Sequence, residues 1–243
     1  MLSKNQIKLV TSLKQKKYRF QHNLFVAEGL KTIREFLKSD FKLHYLFTTE
    51  SFNIDAINEV VISETELKKI SSLKSPNTAL AIFEIKKPKP IDDSKLIVAL
   101  DNIRDPGNLG TIIRLCDWFG ICDLVCTEET VDCYNSKVVQ ATVGSLARVN
   151  ISYIDLVEFL SKTELIKYGA YMDGVSVYSN KLPNKGVLIF GNEANGISDD
   201  IGSLIDEKIS IPRFGDLQET ESLNVATATA ILLSEFKRST IET

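Results

Sequence analysis

The sequence predicts an α/β protein of two units: a small α/β unit, then a larger domain on a parallel sheet covered by helices on both faces. Three observations carry this. Short apolar runs such as LFVAE, LIVALD and VLIFGN alternate with segments of helical periodicity along the whole chain, the pattern of strands buried on both faces. The stretch KKPKPIDDSK has two prolines, six charges and no periodicity, and divides the chain at residues 86–94. A chain of 243 residues holds one large domain or two modest ones with ample core.

Taken in order, SKNQIKLVTSLKQKKYR reads as one basic amphipathic helix. LFVAE is a strand, GLKTIREFLKS a helix and KLHYLFTT a strand. VVIS leads into a helix from Glu64 to Ser72, and TALAIFEI is a strand. Beyond the linker, LIVALD is a strand and residues 108–119 a helix. DLVCTE is a strand, SKVVQATVGSL mostly helix, RVNISY a strand and LVEFLSK a helix. AYMD and VLIFGN are strands, DDIGSLI is a short helix, KISIP a strand, and ESLNVATATAILLSEFKR the closing helix.

The net charge of −3 hides an asymmetry. Residues 1–90 carry 16 Lys and Arg against 9 acids, and residues 91–243 carry 13 against 23. The basic surplus sits in residues 1–42, with 10 against 3. A basic segment on an acidic body points to a polyanion partner, or to a solvated helix face. MLSKNQIKLV has no apolar core of a signal peptide, and no apolar run approaches a membrane span, so a cytoplasmic location is expected. The four cysteines form no CxxC pair and no Cys/His zinc pattern, which predicts buried, reduced thiols and no metal site.

Ligands of open α/β sheets collect beyond the carboxyl ends of the strands. That rule selects three loops rich in Gly, Asn, Ser or carboxylate. In NIRDPGNLG, glycines allow a sharp turn or close backbone approach, and Asn108 is placed to cap the following helix. On that helix Leu109, Ile112, Ile113, Cys116 and Phe119 share a face, with Arg114 roughly opposite. Arg114 alone reads as surface charge or as a planar fork aimed at an anion. In GNEANGIS, Asn195-Gly196 marks a turn and Glu193 is a loop acid or a hydroxyl acceptor. In ESLN, Ser222 is a natural N-cap that would put Asn224 in the first turn of the last helix. The small residues Ala226 to Ala230 let that helix pack closely on a neighbour.

Together DNIRDPGNLGTIIRLCDWFG, VLIFGNEANGIS and IPRFGDLQETESLNVATATAILLSEF resemble, in order and strand context, the three motifs of the SpoU (TrmH-like) branch of the SPOUT methyltransferases. KYRFQHNLFVAEGLKTIREFL is similar to the L30e-like RNA-binding domain that precedes the catalytic domain in many members. The resemblance implies an L30e-like domain over residues 1–90 and a catalytic domain over 95–243 that threads a deep trefoil knot, against the usual rule for chains. It also implies methyl transfer from S-adenosylmethionine to a ribose 2′-hydroxyl of rRNA or tRNA, by a homodimer. The added first domain favours 23S rRNA. The implied catalytic positions are Asn108, Arg114, Glu193, Ser222 and Asn224. The implied cofactor positions are Thr142, Gly144, Gly191, Ile211 and Leu223. Lys14, Lys16, Lys17 and Arg19 are the expected phosphate contacts of the first domain. One departure is RFGDLQETE, longer and more charged than in common members, with Arg213 where Met is usual. Two other functions stay open: a non-catalytic RNA-binding or ribosome-assembly protein, and a nucleotide-dependent dehydrogenase, the latter opposed by the missing GxGxxG.

Overall fold

A computed structural model describes the chain except residues 55–57, 77, 180, 216–221 and 239–243. Contacts divide it into two compact units: Met1–Lys87 with Asp132–Arg148, and Pro88–Val131 with Val149–Thr243.

The first unit has a four-stranded mixed sheet in the order β1 (Leu24–Glu28), β4 (Ala79–Glu84), β2 (Leu43–Thr48), β3 (Glu59–Val61). β4 runs antiparallel to β1 and β2, and β3 pairs parallel with β2. β1 is buried throughout because both faces of the sheet are covered. On one face Val26, Leu80 and Ile82 pack with Val10 of α1 (Lys4–Ser12) and Leu67 and Ile70 of α4 (Glu64–Ile70). On the other, the rings of Phe25, Phe41 and Phe83 lie 5.1 to 6.0 Å from one another or from Phe36 of α3 (Leu30–Leu37), the spacing of favourable aromatic pairs. Tyr134, from the late segment of the unit, packs its ring at a tilt of 42° against that of Phe25, with centroids 4.8 Å apart. That segment carries α6 (Ser136–Thr142) and a 3-10 turn over Ser145–Ala147.

The expected single N-terminal helix is two, α1 and α2 (Lys16–His22). Arg19, 3% exposed, accounts for the break. Its Nη1 donates to the carbonyls of Leu13 and Lys14 at 2.9 and 3.0 Å, taking the acceptors a continuing helix would use. Its Nε and Nη2 donate to Asp132 Oδ2 at 2.8 and 2.6 Å.

The second unit is an all-parallel six-stranded sheet in the order β10 (Glu207–Ser210), β8 (Lys167–Ser176), β9 (Gly186–Phe190), β5 (Leu96–Leu100), β6 (Asp123–Cys126), β7 (Asn150–Tyr153). β5, β6 and β9 are buried along their whole length, as the apolar runs LIVAL, LVC and GVLIF require, and the buried Asp123 that opens β6 accepts Asn150 Nδ2. The reading of AYMD as a strand stops short of the ten-residue β8. The strand runs on through Gly174, where a Cβ would lie 2.6 Å from the backbone of Lys208 and Ile209 in β10. The glycine permits close strand approach rather than ending the strand. Around the sheet lie α5 (Pro106–Trp118), α7 (Leu156–Lys162), α8 (Asp199–Gly202) and α9 (Val225–Arg238), with α9 against α5. No helix among the described residues is long and apolar enough to cross a membrane. Cys116, Cys126 and Cys133 are buried, while Cys122 is exposed. Burial pushes the Cys116 thiol far up, so it stays protonated and unreactive.

Candidate active site

β5 and β9 are neighbours in register, Leu100 opposite Phe190. Their following loops therefore leave the same sheet edge side by side, and polar side chains tie them together. Asp101, the buried residue after β5, accepts the Ser198 amide at 2.7 Å. Asn102 turns the chain at φ +58° and its carbonyl accepts Asn192 Nδ2 at 2.7 Å. The β9 loop closes on itself, with Asn192 and Gly196 exchanging both backbone bonds at 2.8 and 2.9 Å. Gly191 packs so tightly under this turn that a Cβ would lie 2.1 Å from Gly196 and Ile197 backbone.

The caps differ from those expected. Asp105, not Asn108, caps α5, its side chain accepting the Asn108 amide at 2.8 Å with Pro106 at the first helical position. Asn224, not Ser222, caps α9, its Oδ1 accepting the amides of Ala226 and Thr227 at 3.0 and 3.2 Å. Both differences free or place an amide for another use. Asn224 Nδ2 donates to Asn108 Oδ1 at 2.9 Å, and Asn108 Nδ2 donates to Glu193 Oε1 at 2.5 Å. All three loops are thus joined by one relay. Every donation runs the same way, from the α9 N-terminus to a carboxylate, so the bonds polarise one another and end on a charge-assisted link. Arg114 stands exposed on α5, with no hydrogen-bond or ion-pair partner among the described residues.

Beside the relay is a cavity of about 1050 Å³, at the upper end of small-molecule sites. Glu193, Gly191, Ile211, Ser222 and Leu223 line it, together with Tyr171, Met172, Ile209, Val225 and Leu232. Glu193 and Arg213 are the charged residues of the described lining. Burial, and then the nearby carboxylates Asp173, Asp199 and Asp101, raise the Tyr171 phenol, so it remains a hydrogen-bond donor at neutral pH. The Lys208 ammonium lies 4.6 Å from its ring centroid.

The structure therefore brings Asn108, Glu193 and Asn224 together, and puts Glu193, Gly191, Ile211, Ser222 and Leu223 at one cavity. It does not bring Thr142 or Gly144 to that lining. Both belong to the first unit. Thr142 is buried, its hydroxyl donating to the Val139 carbonyl, and Gly144 has φ +96° with a Cβ position 2.5 Å from Glu35. Their small size and backbone freedom serve packing there. Lys14, Lys16 and Lys17 are exposed as a phosphate contact requires, whereas buried, ion-paired Arg19 is not. Part of RFGDLQETE, residues 216–221, lies outside the described residues. Asn102, Asn192 and Asp105 hold the loops although the motif reading leaves them aside. Their signal was an Asn or Asp within two residues of a strand end or ahead of Pro.

A model described as the SpoU rRNA methylase family matches residues 95–234, more than half of the chain. The chain belongs to this family. A second, described as an MRM3-like substrate binding domain, matches residues 4–81 of this SpoU-family chain. The 23S rRNA (guanosine(2553)-2′-O)-methyltransferase RlmP of Bacillus subtilis is 27% identical over 248 residues, covering 95% of this chain and 96% of the relative. A solved structure from Porphyromonas gingivalis, provisionally described as an RNA methyltransferase of the TrmH family, is 38% identical with a TM-score of 0.89, covering 98% and 99% of the two chains. An AdoMet-bound rRNA methyltransferase from Sinorhizobium meliloti is 28% identical with a TM-score of 0.85, covering 98% and 96%.

Proposed function

We propose that this SpoU-family protein transfers the methyl group of S-adenosylmethionine to a ribose 2′-hydroxyl of 23S rRNA. The observation that carries the reading is the Glu193–Asn108–Asn224 relay, which joins the three motif loops at the edge of one cavity. Full-length similarity to a 23S rRNA 2′-O-methyltransferase supports the substrate class.

The lining fits the cofactor. Ile209, Ile211, Leu223, Val225 and Leu232 offer an apolar wall for a flat adenine, and Glu193 and Arg213 offer opposite charges for a zwitterion. When bound, S-adenosylmethionine supplies a methyl carbon already activated by its sulfonium.

The protein's own task is to hold the 2′-oxygen in line and stabilise the negative charge it gains. Arg114 supplies a guanidinium with five N–H donors. It binds the target phosphate with its planar fork and steadies the developing oxyanion. Asn108 and Asn224 have their facing oxygens committed to the relay, so they position the loops that hold the ribose, and Glu193 orients Asn108. Ser222 lines the cavity, and in this reading its hydroxyl meets the ribose. The active form is a homodimer in which the partner completes the site. In support, Trp118, one turn beyond Arg114 on the same α5 face, is 83% exposed.

Labelled methyl transfer to 23S rRNA transcripts tests the reading. Arg114→Ala is expected to abolish transfer while S-adenosylmethionine affinity holds, and Arg114→Lys to rescue poorly because it loses the fork. Transfer that survives Arg114→Ala contradicts it.

A further inference from the structure

Of the seven residues of α2, KKYRFQH, the buried side chain is Arg19. Helices in proteins are normally held by an apolar face. Here an ion pair with Asp132 and two bonds to the α1 end do that work from below. Phe20, the residue suited to be an apolar anchor, faces outward at 53% exposure. The Lys16 ammonium lies 5.8 Å from its ring centroid, and that of Lys17 lies 5.9 Å from the Tyr18 ring. The rings of Tyr18 and His22 stack at 6.4 Å. Lys14 is exposed just before the helix. The result is a rigidly mounted surface of cations and flat rings in the most basic part of the chain.

We propose that α2 docks an unpaired segment of the RNA substrate, with Phe20 as the stacking platform for one base and Lys14, Lys16 and Lys17 against the flanking phosphates. This rests on the reading of the protein as an RNA methyltransferase, and adds which part of the RNA the first unit grips. Lysines alone fit any polyanion. An outward phenyl ring among them fits a base with a free face, which a duplex does not offer.

Fluorescence anisotropy on the full-length protein tests this with two RNA probes of equal length, a hairpin with an unpaired loop and a fully paired duplex. Phe20→Ala is expected to weaken hairpin binding about tenfold and duplex binding little. Phe20→Trp keeps the ring and the affinity. Lys16→Gln lowers the slope of log affinity against log salt by about 0.7. A Phe20→Ala variant that weakens both probes equally, or neither, overturns the proposal. Methyl transfer by the wild-type protein is read separately. If it occurs while the probes respond alike, only the docking inference falls. If it does not, the enzyme reading falls and the loop preference stands on its own measurement.

Discussion

Asn108 is the residue on which the site turns. It accepts from Asn224 and donates to Glu193, so its side chain is bonded to both other motif loops. Asn108→Ala removes the link, and the loops of Glu193 and Asn224 lose their common register. Misplacement of this kind costs on the order of 100-fold in turnover, which steady-state methylation kinetics would read. Asn108→Asp is expected to be no better, because it sets a carboxylate against Glu193 where an amide donated. The motif positions were legible as residues, since each follows a clean strand. The relay was not. Which Asn or Asp caps a helix depends on backbone angles two or three residues away, and so Asp105 and Asn224 displaced Asn108 and Ser222 from the capping roles.

At the scale of elements, α2 is the informative case. A basic amphipathic period runs unbroken from residue 3 to residue 19, and nothing local marks the break. Its cause, Asp132, lies 113 residues further along the chain, beyond the reach of any periodicity argument. Arg19 and Asp132 are both almost fully buried, so removing either leaves an uncompensated charge. Arg19→Ala or Asp132→Ala is expected to destabilise the protein by about 3–5 kcal/mol, seen as a lowered midpoint in urea. Arg19→Lys should recover only part, since one ammonium cannot reproduce the guanidinium bonds to Asp132 and to the carbonyls of Leu13 and Lys14. The buried strands β5 and β9, by contrast, were readable almost residue by residue, because burial on both faces leaves a continuous apolar signature, whereas the half-exposed β8 was read at less than half its length.

At the scale of the whole molecule, the two α/β units were expected from the linker, and the contacts add residues 132–148 to the first of them. Sequence alone carries no sign of this, because the segment reads like any helix of an alternating series. The proposed homodimer belongs to this scale too. Trp118→Glu puts a charge where α5 exposes its indole. It is expected to shift the protein to a monomer by light scattering and to reduce methylation with it. A Trp118→Glu dimer of full activity would remove α5 from the assembly. The most direct measurement of the central claim is position-resolved mapping of ribose methylation on 23S rRNA treated with purified protein and S-adenosylmethionine. One nucleotide should gain a 2′-O-methyl group with wild-type protein and none with Arg114→Ala. A methyl group on a base, or no methylation at all, would contradict a site built to present a 2′-hydroxyl.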